Sequence, residues 1–310
     1  MPSAPILGIT HSAIDFAVPP GACDCHTHVF SPVARFPFDP ARKYTPAEAS
    51  NDELIALHRA LGIERVVIVH PSVYGTDNRA TLDGMRAYGP GARGVAVIDA
   101  RTSDAELAAM HAAGMRGARV NLETGGVSDP AAAARALRET AARVAPLGWH
   151  VQTYSNLALI AALRDVLGDL PVPLVVDHFG RAQARLGTEQ PGFAELLALV
   201  GSGRAYVKLS APHRIGATPD DAATAAIARA LIAAHPERVL WGTDWPHPGG
   251  GPRPPELIQE IEPFTPIDDG AALNRLARWA GSAAMIKRIL VDNPARLYDY
   301  PRPVGLKEAR

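Results

Sequence analysis

Within Asp24-Cys25-His26-Thr27-His28, two imidazoles stand two positions apart at the end of the short apolar stretch Gly21 to Cys25. Residues two apart in an extended strand face the same side, so His26 and His28 leave the strand end together and converge on one point. Paired imidazoles of this kind bind a divalent metal or polarise a carbonyl oxygen, unless they are two unrelated strand-end histidines. The remainder of the chain has to supply partners for them.

The elements that would position such partners are legible as short β-branched runs alternating with Ala/Leu-rich segments. Strands are expected at Ala22–Cys25, Arg65–Val69, Gly94–Ile98, Gly117–Val120, Trp149–Thr153, Pro173–Asp177, Ala205–Leu209 and Val239–Gly242. Between them, Ser103-Asp104-Ala105-Glu106 reads as a capping box and Asp129-Pro130 as an N-cap followed by proline. Thr218-Pro219-Asp220-Asp221 combines both start signals. Eight strand–helix units, with no Gly-x-Gly-x-x-Gly after the first strand, predict an α/β fold of the (β/α)8 TIM-barrel type rather than an open doubly wound sheet. One domain is expected over residues 1–310, with 1–20 as an N-terminal extension packing on the barrel. Helical material at about Gly270–Leu290 and Asp292–Tyr298 would close its outside.

Barrel chemistry sits at the C-terminal strand ends. His26 and His28 follow strand one, His70 and Ser72 strand two, and Asp99 strand three. Arg119 and Asn121 follow strand four, Tyr154 strand five, and His178 and Arg181 strand six. Ser210, His213 and Arg214 follow strand seven, and Asp244, Trp245 and His247 strand eight. A polar, proton-transferring or anion-binding residue at nearly every downstream end is the signature of an active site.

A 47% hydrophobic content with a formal charge of −1 and scattered arginines argues against nucleic acid as a partner. No uninterrupted apolar segment reaches membrane-spanning length, and no charged leader precedes an apolar run, so a cytoplasmic location without membrane partners is expected. Cys23 and Cys25 are too closely spaced for an ordinary structural disulfide and read as small buried side chains.

The His-x-His pair, the histidine of Val176-Asp177-His178 and the aspartate of Trp241-Gly242-Thr243-Asp244 together resemble the amidohydrolase superfamily. Within it, Asp24–Phe30, Phe36-Pro37-Phe38, Arg42–Pro46, Val176–Arg181, Trp241–Pro248 and Asp292–Tyr298 resemble the 2-pyrone-4,6-dicarboxylate lactonase family over about residues 21–300. The resemblance implies metal-independent catalysis with no cofactor. It fits the loss of usual metal ligands, since strand five ends in Gln152-Thr153-Tyr154, with His150 at its opposite end, and strand four offers Arg119. A single divalent metal such as zinc, if held, would take His26, His28, His178 and Asp244.

Opening a lactone needs an activated water, a stabilised oxyanion and a proton for the leaving oxygen. Asp244 is expected as general base and His26, His28 and His178 as the donors around the carbonyl. Arg119, Arg181 and Arg214 come from three strand ends and suit an anionic substrate through their planar forks. Tyr44, Ser72 and Tyr154 match further substrate-contacting positions of the resembled family. That family has a second arginine shortly after the strand-four one, where this chain reads Asn121-Leu122-Glu123-Thr124-Gly125-Gly126. The expected substrate is a carboxylated lactone like the pyrone dicarboxylate; the missing arginine would weaken a dicarboxylate and makes a sulfomuconolactone or sugar-acid lactone the alternative. A lactone isomerase and a metal-dependent decarboxylase are the competing reaction classes. The lactone itself and the oligomeric state stay open.

The weaker signals receive structural readings. Asp99 is expected to cap or to hydrogen-bond within its loop, and His213 to touch substrate or solvent. Trp245-Pro246-His247-Pro248 is a stiff rim with an optional cis proline. His58, His111 and His235 lie on expected helices, and Lys208 is assigned no role.

Overall fold

The computed structural model describes residues 5–216, 222–249 and 253–301. Eight parallel strands form one sheet in sequential order: β1 (Cys23–Thr27), β2 (Arg65–Val69), β3 (Ala92–Ala96), β4 (Met115–Asn121), β5 (His150–Tyr154), β6 (Leu174–Val176), β7 (Ala205–Ser210) and β8 (Val239–Gly242). The first and last strands meet through a parallel bridge between Thr27 and Trp245, flanked by His28 N–H donating to Trp245 O at 2.7 Å and Asp244 N–H to His26 O at 2.8 Å. The same hydrogen bonds that close the barrel therefore hold two site residues at fixed height.

That closure depends on Gly242 and Asp24. A Cβ at Gly242 would lie 2.6 Å from the His26 backbone nitrogen, so only glycine admits β1 this close. The buried Asp24 carboxylate accepts from His26 N–H at 3.0 Å, Thr243 N–H at 3.1 Å and the Thr243 hydroxyl at 2.6 Å, with His58 Nε2 at 3.2 Å. His58, on α1 (Asn51–Leu61), thus ties the first helix to the seam between the strands.

Period-two alternation divides the barrel interior into layers. Cys23, Cys25, Val67, Val69, Val95, Val175, Tyr206 and Leu240 pack as one buried cluster, and both cysteines are free thiols. Two residues further along the same strands come Asp177 after Val175 and Lys208 after Tyr206, so a charged layer replaces the apolar one toward the C-terminal ends. Outside the sheet, the helices α2 (Arg79–Tyr88), α3 (Asp104–Ala112), α4 (Pro130–Val144), α5 (Leu157–Ala162), α6 (Arg164–Gly168), α7 (Phe193–Gly201), α8 (Ala222–Ala234) and α9 (Asp269–Ala280) follow in turn. Their apolar faces join the main core. No described helix is long and apolar enough to cross a membrane.

Helix starts follow their local chemistry. Ser103 and Glu106 form a reciprocal capping box, and Asp129 caps α4 ahead of Pro130. The Thr218–Asp221 signal lies outside the described residues. Several boundaries differ from the sequence expectation. Strand one runs to Thr27 and so contains His26, because pairing with β2 continues past the apolar stretch through a register shift. Strand three starts at Ala92 and ends at Ala96. The expected helix over Gly270–Leu290 breaks at left-handed Gly281 (φ 71°) and resumes as α10 (Ala283–Lys287), followed by a π-helical turn at Arg288–Asp292 and α11 (Asn293–Leu297). His235 lies just past the end of α8 rather than on a helix. Ile6 belongs to the main core and Leu7, Ile14, Phe16 and Val18 pack against it, while Ser12 bonds Asp268 through its N–H at 2.9 Å.

Candidate active site

The strand ends place a buried carboxylate inside a ring of imidazoles. Asp244 Oδ1 lies 3.5 Å from His26 Nε2, 3.4 Å from His28 Nε2 and 3.7 Å from His178 Nε2. Each ring is oriented from behind. His28 Nδ1–H donates to Val69 O at 2.8 Å, His178 Nδ1 bonds the Ser210 hydroxyl at 2.8 Å, and His26 Nδ1 faces Lys208 Nζ at 3.2 Å. The backbone supports this convergence with left-handed residues that are not glycine: Asp244 (φ 70°), His178 (φ 48°), Phe179 (φ 56°) and Arg181 (φ 58°). Such conformations cost on the order of 1–3 kcal/mol each and concentrate where side chains must be aimed.

Above this floor, His28, Tyr44, Pro71, Ser72, Arg119, Asn121, Thr124, Tyr154, His178, Arg214, Asp244 and Pro248 line a narrow cavity. It therefore gathers most of the residues expected from sequence. His26 is fully buried behind the wall, and Arg181 lines the adjoining, wider recess with Glu123, Gln183, Gln190 and Leu186. The two arginines flanking Tyr154 stack on its ring, Arg119 at 5.7 Å and Arg181 at 5.8 Å from the centroid. Next to the cavity residue Tyr44 two loops are laced together, where Thr45–Pro46 pairs with Ile261–Glu262 and the Thr45 hydroxyl donates to Ile258 O at 2.6 Å.

Electrostatics lock the charges in place. Burial pushes the Asp244 carboxyl up, but Arg214, whose Nε–H donates to Oδ2 at 2.8 Å, together with the histidines outweighs it and holds the group well below its usual range. Arg214 is itself fixed by the carbonyls of Pro248 and Gly249, and its guanidinium is held even more firmly protonated. Asp177 behaves likewise: burial opposes its ionisation, while His26, Lys208 and Arg119 prevail and hold it well below the carboxylate range. Burial and the Lys208 charge push His26 down to about 4, and burial drives His178 well below the histidine range. Burial raises Tyr44 to about 12, so its phenol remains a hydrogen-bonding group, partnered by Ser72.

The donor set fits a divalent ion by spacing. Ligand atoms at about 2.0–2.2 Å from a tetrahedral metal stand about 3.3–3.6 Å apart, close to the separations around Asp244 Oδ1. His26 Nε2 and Asp244 Oδ1 are buried without hydrogen-bond partners. His26, His28 and Asp244 form one group capable of coordination, and His26, Asp177 and His178 a second. Against this, the site already carries three fixed cations, Lys208, Arg119 and Arg214, for two carboxylates, Asp177 and Asp244. A further dication would meet that excess positive charge at short range.

The sequence reading missed the layer beneath. Lys208, Gln152 and Asp177 interlock there, with Lys208 Nζ donating to Gln152 Oε1 at 2.7 Å and Gln152 Nε2 donating to Asp177 Oδ2 at 3.0 Å. The signal was present as strand parity, since Lys208 shares a face with Ser210. Other strand-end residues have structural duties. His70 spends both ring nitrogens on the Thr81 hydroxyl and Gly75 O, each at 3.0 Å. Asp99 accepts from Arg101 and Thr102 N–H within its loop, while Ser103 caps the helix. His213 packs edge-on against His247, whose Nε2 meets Asp269 at 3.1 Å, and the Trp245–Pro246 bond is cis.

Comparison with known proteins agrees with this architecture. The amidohydrolase family model matches residues 23–300. The chain is 39% identical over 293 residues to a 2-pyrone-4,6-dicarbaxylate hydrolase of Comamonas testosteroni, covering 91% of this chain and 92% of that one. It is 35% identical to a 4-sulfomuconolactone hydrolase of Hydrogenophaga intermedia, covering 94% of each. A Pseudomonas putida crystal structure described as a 2-pyrone-4,6-dicarboxylic acid hydrolase superimposes with a TM-score of 0.73 at 33% identity, covering 90% of this chain and 97% of that one.

Proposed function

This chain belongs to the amidohydrolase family and is a hydrolase, and from that premise we propose that it opens a small anionic lactone, of the pyrone-dicarboxylate kind met in aromatic-compound breakdown. The observation that carries the reading is the buried Asp244 Oδ1, free of hydrogen bonds, facing three imidazole nitrogens at the floor of a cavity walled by Arg119 and Arg214. Relatives named for pyrone and sulfomuconolactone substrates support the choice of an anionic lactone.

Arg119 supplies the cleanest anchor for a substrate anion. Its guanidinium lines the cavity, its Nε is buried without a partner, and Tyr154 holds its plane. The ring carbonyl then falls to His178, whose Nδ1 can accept from the Ser210 hydroxyl and leave Nε2–H to donate, while His28, its Nδ1–H committed to Val69 O, turns an accepting Nε2 to the cavity and His26 stands behind Asp244. Asp244, ionised at neutral pH, takes the proton of an attacking water as the water oxygen bonds the carbonyl carbon. Collapse breaks the acyl–oxygen bond, and the weakly basic carboxylate returns the proton to the departing enol oxygen. A divalent metal, if bound by His26, His28, His178 and Asp244, would act as a Lewis acid on the same carbonyl. The fixed cations favour the route in which the imidazoles do this work unaided.

Asp244→Asn tests the assignment. Turnover of 2-pyrone-4,6-dicarboxylate or 4-sulfomuconolactone should fall by at least ~10²-fold, the scale of a lost general base, with the fold retained by circular dichroism. A folded variant turning over at the parent rate would remove Asp244 from the mechanism.

A further inference from the structure

We propose that Lys208 fixes the proton of His26 on Nε2, and so keeps the imidazole cluster a hydrogen-bonding site rather than a metal cage. The proposal rests on the metal-free reading above. Lys208 is completely buried on β7, and its ammonium has three donors and no acceptor. It reaches Gln152 Oε1 at 2.7 Å, His26 Nδ1 at 3.2 Å and Asp177 Oδ1 at 3.5 Å. A group that can only donate requires a lone pair on Nδ1. The single N–H of a neutral imidazole must then sit on Nε2, which faces Asp244 Oδ1 at 3.5 Å.

Asp177 is the competitor for that proton, since its Oδ1 also lies 3.2 Å from His26 Nδ1. With Nδ1 accepting from Lys208, that oxygen is left without a hydrogen bond. The opposite tautomer sets an N–H against the ammonium and a lone pair against the Asp244 carboxylate, two repulsive contacts in place of two attractive ones. His28 shows the contrasting arrangement. Its Nδ1–H is committed to Val69 O, the backing that directs Nε2 toward a metal. Lys208 is therefore a positioning residue. With its proton on Nε2, His26 turns an N–H rather than a lone pair toward the centre of the cluster.

The test compares the protein with Lys208→Met and uses no lactone. In NMR of isotope-labelled histidine, His26, assigned by its absence in a His26→Gln sample, should carry its proton on Nε2 in the unmodified protein. In Lys208→Met the proton should move to Nδ1, facing Asp177. Zinc affinity measured by calorimetry should rise about 10–100-fold in the variant, the usual weight of groups that orient a ligand. Should Lys208→Met fail to fold, Lys208→Gln serves, since a neutral amide can accept from Nδ1–H. A proton on Nδ1 in the unmodified protein, or equal zinc affinity in both proteins, would overturn the proposal. If both readouts come out as stated and no lactone is hydrolysed, the substrate reading fails while the assignment to Lys208 stands.

Discussion

Arg119, Arg214 and Asp244 act at the scale of single residues, where charge and donor geometry decide what can bind. Arg214 looked from sequence like a fork for a substrate carboxylate, yet its Nε is spent on Asp244 and its other nitrogens on Pro248 and Gly249 carbonyls. Arg181 lines the adjoining recess, 3.5 Å from Glu123, whereas Arg119, though 3.5 Å from Asp177, lines the cavity itself and is the cation best placed for an anion there. This sharpens the consequence of the arginine absent from the Asn121–Gly126 stretch. Gly125 cannot simply restore it, because a Cβ there would lie 3.0 Å from Asn121 O, whereas Thr124 already lines the cavity. Thr124→Arg should raise the preference for a dicarboxylate over a monocarboxylate lactone, read as the ratio of kcat/KM values, by about 10-fold or more, the worth of one charge-assisted contact. A parent protein already efficient on the dicarboxylate, with an unchanged ratio in the variant, would show that this position does not set specificity. The histidines and Asp244 were visible in the sequence because their types are rare and chemically specific. The burial of Lys208 was not, because a lysine usually marks solvent and only its parity with Ser210 said otherwise.

At the scale of elements, the site is a by-product of how β8 meets β1. Gly242 permits the approach, Asp24 clamps it, and the bridging hydrogen bonds then set His28 and Asp244 side by side. Gly242→Ala should cost at least about 1–3 kcal/mol, as forced overpacking does, because its Cβ meets backbone rather than a movable side chain. Gly168→Ala, where a Cβ meets nothing within 4 Å, is the control. Denaturant unfolding that ranked the two variants equal would show that the seam tolerates widening. The strand order was legible because eight β-branched runs recur with helical spacers. The turns that aim the site were not: Asp244, His178, Phe179 and Arg181 adopt left-handed backbone that L-residues ordinarily avoid, so local propensity gives no hint of it. The break at Gly281 was written in the sequence as a stop glycine followed by the capping Ser282, a signal that the helical expectation over Gly270–Leu290 passed over.

At the scale of the whole molecule, burying so many ionisable groups couples stability to pH. His26, His70 and His213 are each held at about 4 by burial against an ordinary 6.5. The unfolded chain therefore binds more protons than the fold between those values, and stability must fall as pH drops from 6.5 toward 4. Asp177 and Asp244, held well below 3.8 in the fold, add a stabilisation that is present above 3.8 and lost below it, so the decline continues in the same direction. Denaturant titrations across this range should show it; flat stability from 6.5 to 4 would mean that the histidines are not buried neutral. Function, too, belongs to the assembled barrel, since the residues around one cavity come from strand ends spread around the sheet. The most direct test of that function is turnover of 2-pyrone-4,6-dicarboxylate and 4-sulfomuconolactone by the purified protein in isotopically labelled water, after exhaustive chelation. The account predicts enzyme-dependent ring opening of at least one of them, with one solvent oxygen in each product and an undiminished rate. Product of unchanged mass, loss of carbon dioxide, or activity that vanishes with the chelator and returns with zinc would contradict it.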